Sequence, residues 1–219
     1  MSNLESSTAR PLLIVLRGPS GSGKSSTAEA LRAAFQQDEP SNTLAYGASH
    51  PVRDAKGTAR VTVVGQDVVR RQLLKEPDVE GGVNIALVEQ IARFSLERGI
   101  VTIVEGIFNA GRYGAMLRGL RDANPGPTLA YYLDVSFEET LRRHATKPNA
   151  AEFGEAEMRR WYRPLELVPG LGETVIREES TAAETLAQIL GDLERITRRS
   201  PGPATKAVDG RVGRRPPTR

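Results

Sequence analysis

Residues 18–25 read Gly18-Pro19-Ser20-Gly21-Ser22-Gly23-Lys24-Ser25, the spacing G-x-x-x-x-G-K-[ST]. That spacing wraps main-chain N–H groups around phosphate oxygens, because its glycines allow a curl that other residues resist. Lys24 can reach the outer phosphates, and the Ser25 hydroxyl can complete a Mg²⁺ shell. Gly18 through Ser26 are therefore the expected contacts for a nucleoside triphosphate, ATP or GTP, with Mg²⁺.

Two carboxylates stand where apolar runs end. Asp67 opens Asp67-Val68-Val69-Arg70; it could take a proton from an attacking hydroxyl, with Arg70 holding phosphate or substrate, or it could cap a helix. Glu105 ends Val101-Thr102-Ile103-Val104. It could hold Mg²⁺ through water, bind a substrate hydroxyl, or pair with Lys24 or an arginine. Asp134 is expected to cap the helix that follows it. Arg142, Arg143, Arg159 and Arg163 belong to a cation-rich stretch, 142–163, with a loop near 148–154. Such a stretch suits a helical lid that excludes water and supplies positive charge to a transferring phosphoryl group, or else a solvated basic face. Trp161 and Tyr162 could pack that lid or stack on a base.

These groups need a frame. Leu12–Leu16 is a short apolar run leading into the loop, and a helical pattern follows from Ser26 to Phe35. Further β-rich runs at Val61–Val64, Ile100–Val104, Leu129–Leu133 and Thr174–Ile176 alternate with helical patterns over Val83–Arg98, Ala110–Asp122 and Thr181–Ile196. That alternation predicts an α/β fold with a parallel sheet covered on both faces. Ligands in such sheets lie at the carboxyl ends of the strands, so Asp67, Arg70, Glu105, Asn109, Arg112 and Tyr113 are the expected acceptor-binding residues. Residues 37–60 form a long polar excursion, expected at the surface, with a small hairpin possible through Leu44-Ala45-Tyr46.

Composition narrows the function class. The chain has 219 residues, no cysteine and two histidines, which removes disulfides, thiolate metal sites and a histidine-based triad from consideration. The polar start, residues 1–10, has no apolar segment of signal-peptide type, and no run is long enough to span a bilayer. A cytoplasmic location follows as the expectation. The basic charge is concentrated at the end: residues 198–219 hold seven Arg and Lys against the single acid Asp209. Residues 1–197 are therefore mildly acidic, which argues against a nucleic-acid surface. The tail is rich in Pro and Gly and is expected to be disordered. One domain over 11–197 is expected.

The phosphate loop, Gln66-Asp67-Val68-Val69-Arg70, Val104-Glu105-Gly106-Ile107 and the arginine-rich stretch together resemble small P-loop kinases of the nucleoside and nucleotide kinase group. Within it, the chain is most similar to kinases related to zeta toxins, polynucleotide-kinase phosphotransferase domains and chloramphenicol phosphotransferase; the Glu-Gly-Ile step also resembles uridine kinases. The resemblance implies a five-stranded parallel sheet in order 2-3-1-4-5 with a mobile lid. It further implies Lys24 and Ser25 on phosphate and Mg²⁺, Asp67 as general base, and Arg142 or Arg143 on the nucleotide. Residues 37–60 and the tail depart from the pattern.

The resulting expectation is ATP- and Mg²⁺-dependent phosphoryl transfer to a hydroxyl of a small molecule such as a nucleoside, sugar or antibiotic. Two other readings are a kinase of a nucleic-acid end or activated sugar, and a regulatory NTPase. The chain has neither the N-K-x-D motif of a GTPase nor the L-S-G-G-Q signature of a transporter ATPase.

Overall fold

The computed structural model describes residues 10–37, 51–146 and 154–199. The hairpin expected at Leu44–Tyr46, most of the loop expected at 148–154 and the tail from 200 onward lie outside those residues. Five strands form one parallel sheet: β1 Leu13–Arg17, β2 Val61–Gly65, β3 Val101–Gly106, β4 Thr128–Asp134 and β5 Thr174–Arg177. Their order is β2-β3-β1-β4-β5, as the resemblance implied.

β1 is central, and every one of its residues is buried because both sheet faces are covered. Alternation sends Leu13 and Val15 to one side and Ile14 and Leu16 to the other. The first pair meets helices α2 (Val83–Leu96) and α3 (Ala110–Ala123) through Val88, Ala92, Leu117 and Leu120. The second pair meets α1 (Lys24–Gln37) and α6 (Ala182–Arg199) through Ala28, Leu31, Phe35 and Ile189. α2 stops at Gly99, whose φ of +68° suits glycine, and the Gly99 N–H closes the helix onto Leu96 O at 2.9 Å. Two shorter helices, α4 (Phe137–His144) and α5 (Glu155–Trp161), lie between β4 and β5.

Two local expectations change. The segment after β2 is a π-helical turn, Val68–Leu74; Asp67 precedes it, but its side chain makes no cap hydrogen bond. α4 is capped by Ser136, whose hydroxyl accepts the Glu139 N–H at 3.3 Å. Asp134 instead pairs with Arg177 at 3.2 Å, because β4 runs on through it. In the described part of the 37–60 excursion, Arg53 and Ala59 form an antiparallel bridge around a turn organised by Asp54.

Candidate active site

The phosphate loop leaves β1 at Gly18, where φ is +142°. A Cβ there would stand 2.4 Å from the carbonyl oxygen of Leu133 on β4, so no other residue fits. Gly23 (φ +97°) gives its carbonyl to the Thr27 N–H at 2.9 Å and thereby starts α1. Lys24 is buried, 7% exposed. Its ammonium donates to Pro19 O at 2.7 Å and to Ser22 Oγ at 3.2 Å, lying along the inside of the loop.

β2 and β3 bring the acids alongside. Glu105 pairs in register with Gly65, and a Cβ on that glycine would come within 2.9 Å of Glu105 Oε1. Ser25 Oγ donates to the same oxygen at 3.2 Å. Burial pushes the Glu105 carboxyl above its ordinary value, opposed by the Lys24 charge and the Ser25 hydrogen bond. Asp67 is exposed and accepts from Arg70 Nη2 at 2.9 Å.

These groups line one cavity of about 420 Å³. Its walls include Ser20, Gly21, Gly23 and Lys24–Ser26 from the phosphate loop and α1; Gln66 and Asp67 after β2; Glu105–Ile107 on and after β3; and Arg143 and Thr146 at the end of α4. Oxygen donors from Ser25 and Glu105, with an adjacent glycine cradle, fit Mg²⁺ and a phosphate chain.

The other expected residues stand apart from that cavity. Arg70 donates to Glu76 O at 3.3 Å as well as to Asp67. Asn109 caps α3 by accepting the Arg112 N–H at 3.2 Å and donates to Glu166 at 2.6 Å. Arg112 pairs with Asp78 at 2.9 Å. Tyr113 is fully buried; its hydroxyl lies 2.7 Å from Asp78 and 2.9 Å from Asn84, and burial raises its pKa. None of these four residues lines the cavity.

Among the four arginines expected to form a lid, Arg143 alone lines it. Arg142 and Arg143 share the carboxylate of Glu139, which those two hydrogen bonds pull down to about 2. Arg159 pairs with Glu155 and lies 4.2 Å from the Phe137 ring centroid, and Arg163 folds onto the carbonyls of Arg160 and Tyr162. Tyr162 packs edge-on against Phe137, the ring centroids 5.3 Å apart.

No protein-family model matches the chain, and no curated protein does. Solved structures do. The APS kinase of Mycobacterium tuberculosis, in complex with AMPPNP and APS, is 18% identical, with 85% of this chain and 98% of that one covered at a TM-score of 0.59. A gluconokinase from Sinorhizobium meliloti is 17% identical over 86% and 95%, at 0.52. A sugar kinase from a Janibacter species is 14% identical over 85% and 98%, at 0.54. The fold is that of the P-loop kinases.

Within this P-loop kinase fold, a network that the sequence does not announce adjoins the cavity through Gln66. Arg17, the last residue of β1, is fully buried. Its Nε and Nη2 donate to Phe108 O at 3.0 and 2.7 Å, and its Nη1 donates to Glu166 O at 3.0 Å and Glu173 Oε1 at 2.8 Å. Phe108 has φ +41°, and its N–H donates to Gln66 Oε1 at 3.0 Å. The Phe108 peptide groups are thus held from both sides. An arginine ending an apolar strand was the available signal, but its partners lie 91 to 156 residues away. No helix among the described residues is long and apolar enough to cross a membrane.

Proposed function

We propose that this protein is a phosphotransferase that moves the γ-phosphoryl group of ATP, with Mg²⁺, to a hydroxyl of a small molecule. The observation that carries the reading is the shared cavity: Lys24 and Ser25, Asp67, Glu105 and Arg143 reach it from four different segments. In the proposed reaction the phosphate-loop N–H groups and Lys24 hold the phosphate chain. The Ser25 hydroxyl and Glu105 carboxylate would hold Mg²⁺, which when bound would offset phosphate charge. Asp67 accepts the proton as the acceptor O–H bond breaks; an O–P bond forms to the γ-phosphorus, and the bond to the β-phosphate oxygen breaks to release ADP. Arg143 supplies positive charge from the lid side. Asp67 is exposed and already positioned by Arg70, as a base that must meet an incoming hydroxyl requires.

The test is γ-phosphate transfer from labelled ATP with Mg²⁺ to nucleosides, sugars, aminoglycosides, macrolides and short oligonucleotides, with wild type and Asp67→Asn in parallel. Loss of about 10²-fold or more in turnover in the variant, with ATP affinity retained, supports the base assignment. ATP binding without transfer to any acceptor would favour a regulatory NTPase, and labelling of oligonucleotides alone would favour a nucleic-acid kinase.

A further inference from the structure

Helices α4, α5 and α6 each carry a glutamate three residues after the capping residue, and two of them use it alike. At α6 the Thr181 N–H donates to Glu184 at 2.8 Å while the Glu184 N–H donates to Thr181 Oγ1 at 3.2 Å. At α5 Glu157 accepts the Gly154 N–H at 3.1 Å. Reaching back in this way satisfies main-chain donors that a helix start leaves unpaired. α4 has the same spacing, Ser136-Phe137-Glu138-Glu139, and the Ser136 hydroxyl plays its half. Glu139 does not play the other. The Ser136 N–H donates instead to Glu178 Oε2 at 2.7 Å. Sheet register makes this possible: Asp134 of β4 pairs with Arg177 of β5, so the next residue, Glu178, meets the turn into α4.

The Glu139 carboxylate is thereby left for the arginines one turn further along α4. Arg142 donates to both of its oxygens, from Nε to Oε2 at 2.5 Å and from Nη2 to Oε1 at 2.6 Å. Oε1 also accepts from Arg143 Nε at 2.6 Å, and Arg143 Nη2 donates to the Glu178 carbonyl at 3.4 Å. The Arg142 side chain is 70% exposed, whereas Arg143 lines the cavity. α4 lies directly on the phosphate loop: a Cβ on Gly21 would stand 3.2 Å from Thr140 O and 3.6 Å from Arg143 Cβ. The stem of Arg143 thus starts at the loop, and its head is held by Glu139.

We propose that Glu139 is a positioning residue that holds the Arg143 guanidinium ready for the nucleotide phosphates, and that Glu178 keeps Glu139 at this task by taking over the helix cap. The assignment rests on the phosphotransferase reading above, in which Arg143 supplies positive charge to the phosphate chain. An unheld arginine side chain loses rotamer freedom when it binds; one already held by a neighbour loses less, so affinity rises without a new contact. The two-pronged grip of Arg142 keeps the carboxylate itself in place. One carboxylate shared by two guanidinium groups leaves the set with net positive charge, so Arg143 still attracts phosphate.

The experiment is calorimetric titration of the full chain with Mg²⁺-AMPPNP, with the melting temperature recorded for each variant. Wild type should bind, and Lys24→Ala should bind far more weakly. Arg143→Ala should raise Kd about three- to tenfold. Glu139→Ala should raise it by at least about twofold in the wild-type background and leave it unchanged in the Arg143→Ala background. Glu178→Ala, which frees the Ser136 N–H for Glu139, should raise Kd as well, and should add nothing once residue 139 is alanine. Glu178→Gln keeps an oxygen for that N–H and should bind like wild type. An unchanged Kd in Arg143→Ala or in Glu139→Ala would overturn the inference. So would an equal loss from Glu139→Ala with Arg143 present and absent, which would show a general loosening of α4. Wild-type affinity in Glu178→Ala would overturn the role of Glu178. In each of these cases Lys24-dependent binding leaves the phosphotransferase reading standing, whereas its absence would overturn both.

Discussion

Replacing Arg17 with methionine removes every donor of a fully buried guanidinium while keeping much of its volume. Three groups lose their hydrogen-bond donor at once, the Phe108 carbonyl, the Glu166 carbonyl and the Glu173 carboxylate, whose side chain is 1% exposed, and the Glu166 carboxylate loses an ion pair at 3.9 Å. Glu173 would keep only the Val168 N–H at 2.6 Å. An orphaned buried carbonyl costs about 1–3 kcal/mol, and breaking a buried ion pair from one side costs about 3–5 kcal/mol. These costs overlap, since the chain can relax once for all three, so about 3–5 kcal/mol is the expected total. That is a large part of the roughly 5–15 kcal/mol that holds a domain together. Urea unfolding followed by circular dichroism should show a lower midpoint, and melting should fall by about 6–20 °C. A second variant separates the ion pair from the lost packing: Arg17→Met with Glu173→Gln should lose less than the two single variants added together, by more than about 0.5 kcal/mol. A single variant within about 1 kcal/mol of wild type, or strict additivity in the pair, would refute the claim that Arg17 and Glu173 stabilise each other.

Other expectations are direct. Gly18→Ala should unfold the loop's seat against Leu133 and abolish ATP binding, whereas Gly23→Ala meets no atom within 4 Å and carries only the backbone strain of about 1–3 kcal/mol; equal melting temperatures for the two would contradict this. Lys24→Ala should abolish phosphoryl transfer while retaining the circular dichroism of wild type; transfer at a near-wild-type rate would remove Lys24 from the proposed mechanism. Because the folded-state Glu105 carboxyl is raised, its protonated form is the better tolerated one, and its contribution to stability is present below its ordinary range and lost as pH rises through the raised value. Glu105→Gln should therefore melt higher relative to wild type at pH 7 than at pH 4, with reduced Mg²⁺-dependent transfer. A melting difference independent of pH would show that the carboxyl is not strained by burial.

Much of the fold was legible because its signals are local. The loop motif, the apolar runs that became β1, β3 and β4, and Gly99 as a helix stop each depend on a few neighbouring residues. The phosphate-loop contacts and the carboxylates ending two strands followed from the same local reading, and Lys24, Ser25, Asp67 and Glu105 do share a cavity. Long-range partners were not legible. Nothing near Arg17 announces Glu173, and nothing near Gln66 announces Phe108, since each pair is closed only by the sheet. Asn109 and Tyr113 follow a strand end, as acceptor residues might, yet one is spent on capping α3 and the other on Asp78 and Asn84. The arginines of residues 142–163 share one composition, but helical phase turns Arg143 toward the cavity, while Arg142 pairs with Glu139 at the surface. Composition carries no phase.

The central place of β1 has a consequence for synthesis. Leu13 precedes its neighbours in the sheet, Thr102 and Thr128, by some ninety and more than a hundred residues. A nascent chain that has not reached β3 therefore holds the apolar run Leu13–Leu16 of β1 with neither flank paired. Parallel pairings of this separation form late and leave sticky surface exposed while they wait. The phosphate loop is closed from below by Leu133, so its geometry can be completed only after most of the chain has emerged. The phosphate loop precedes by more than a hundred residues the strand that completes its seat.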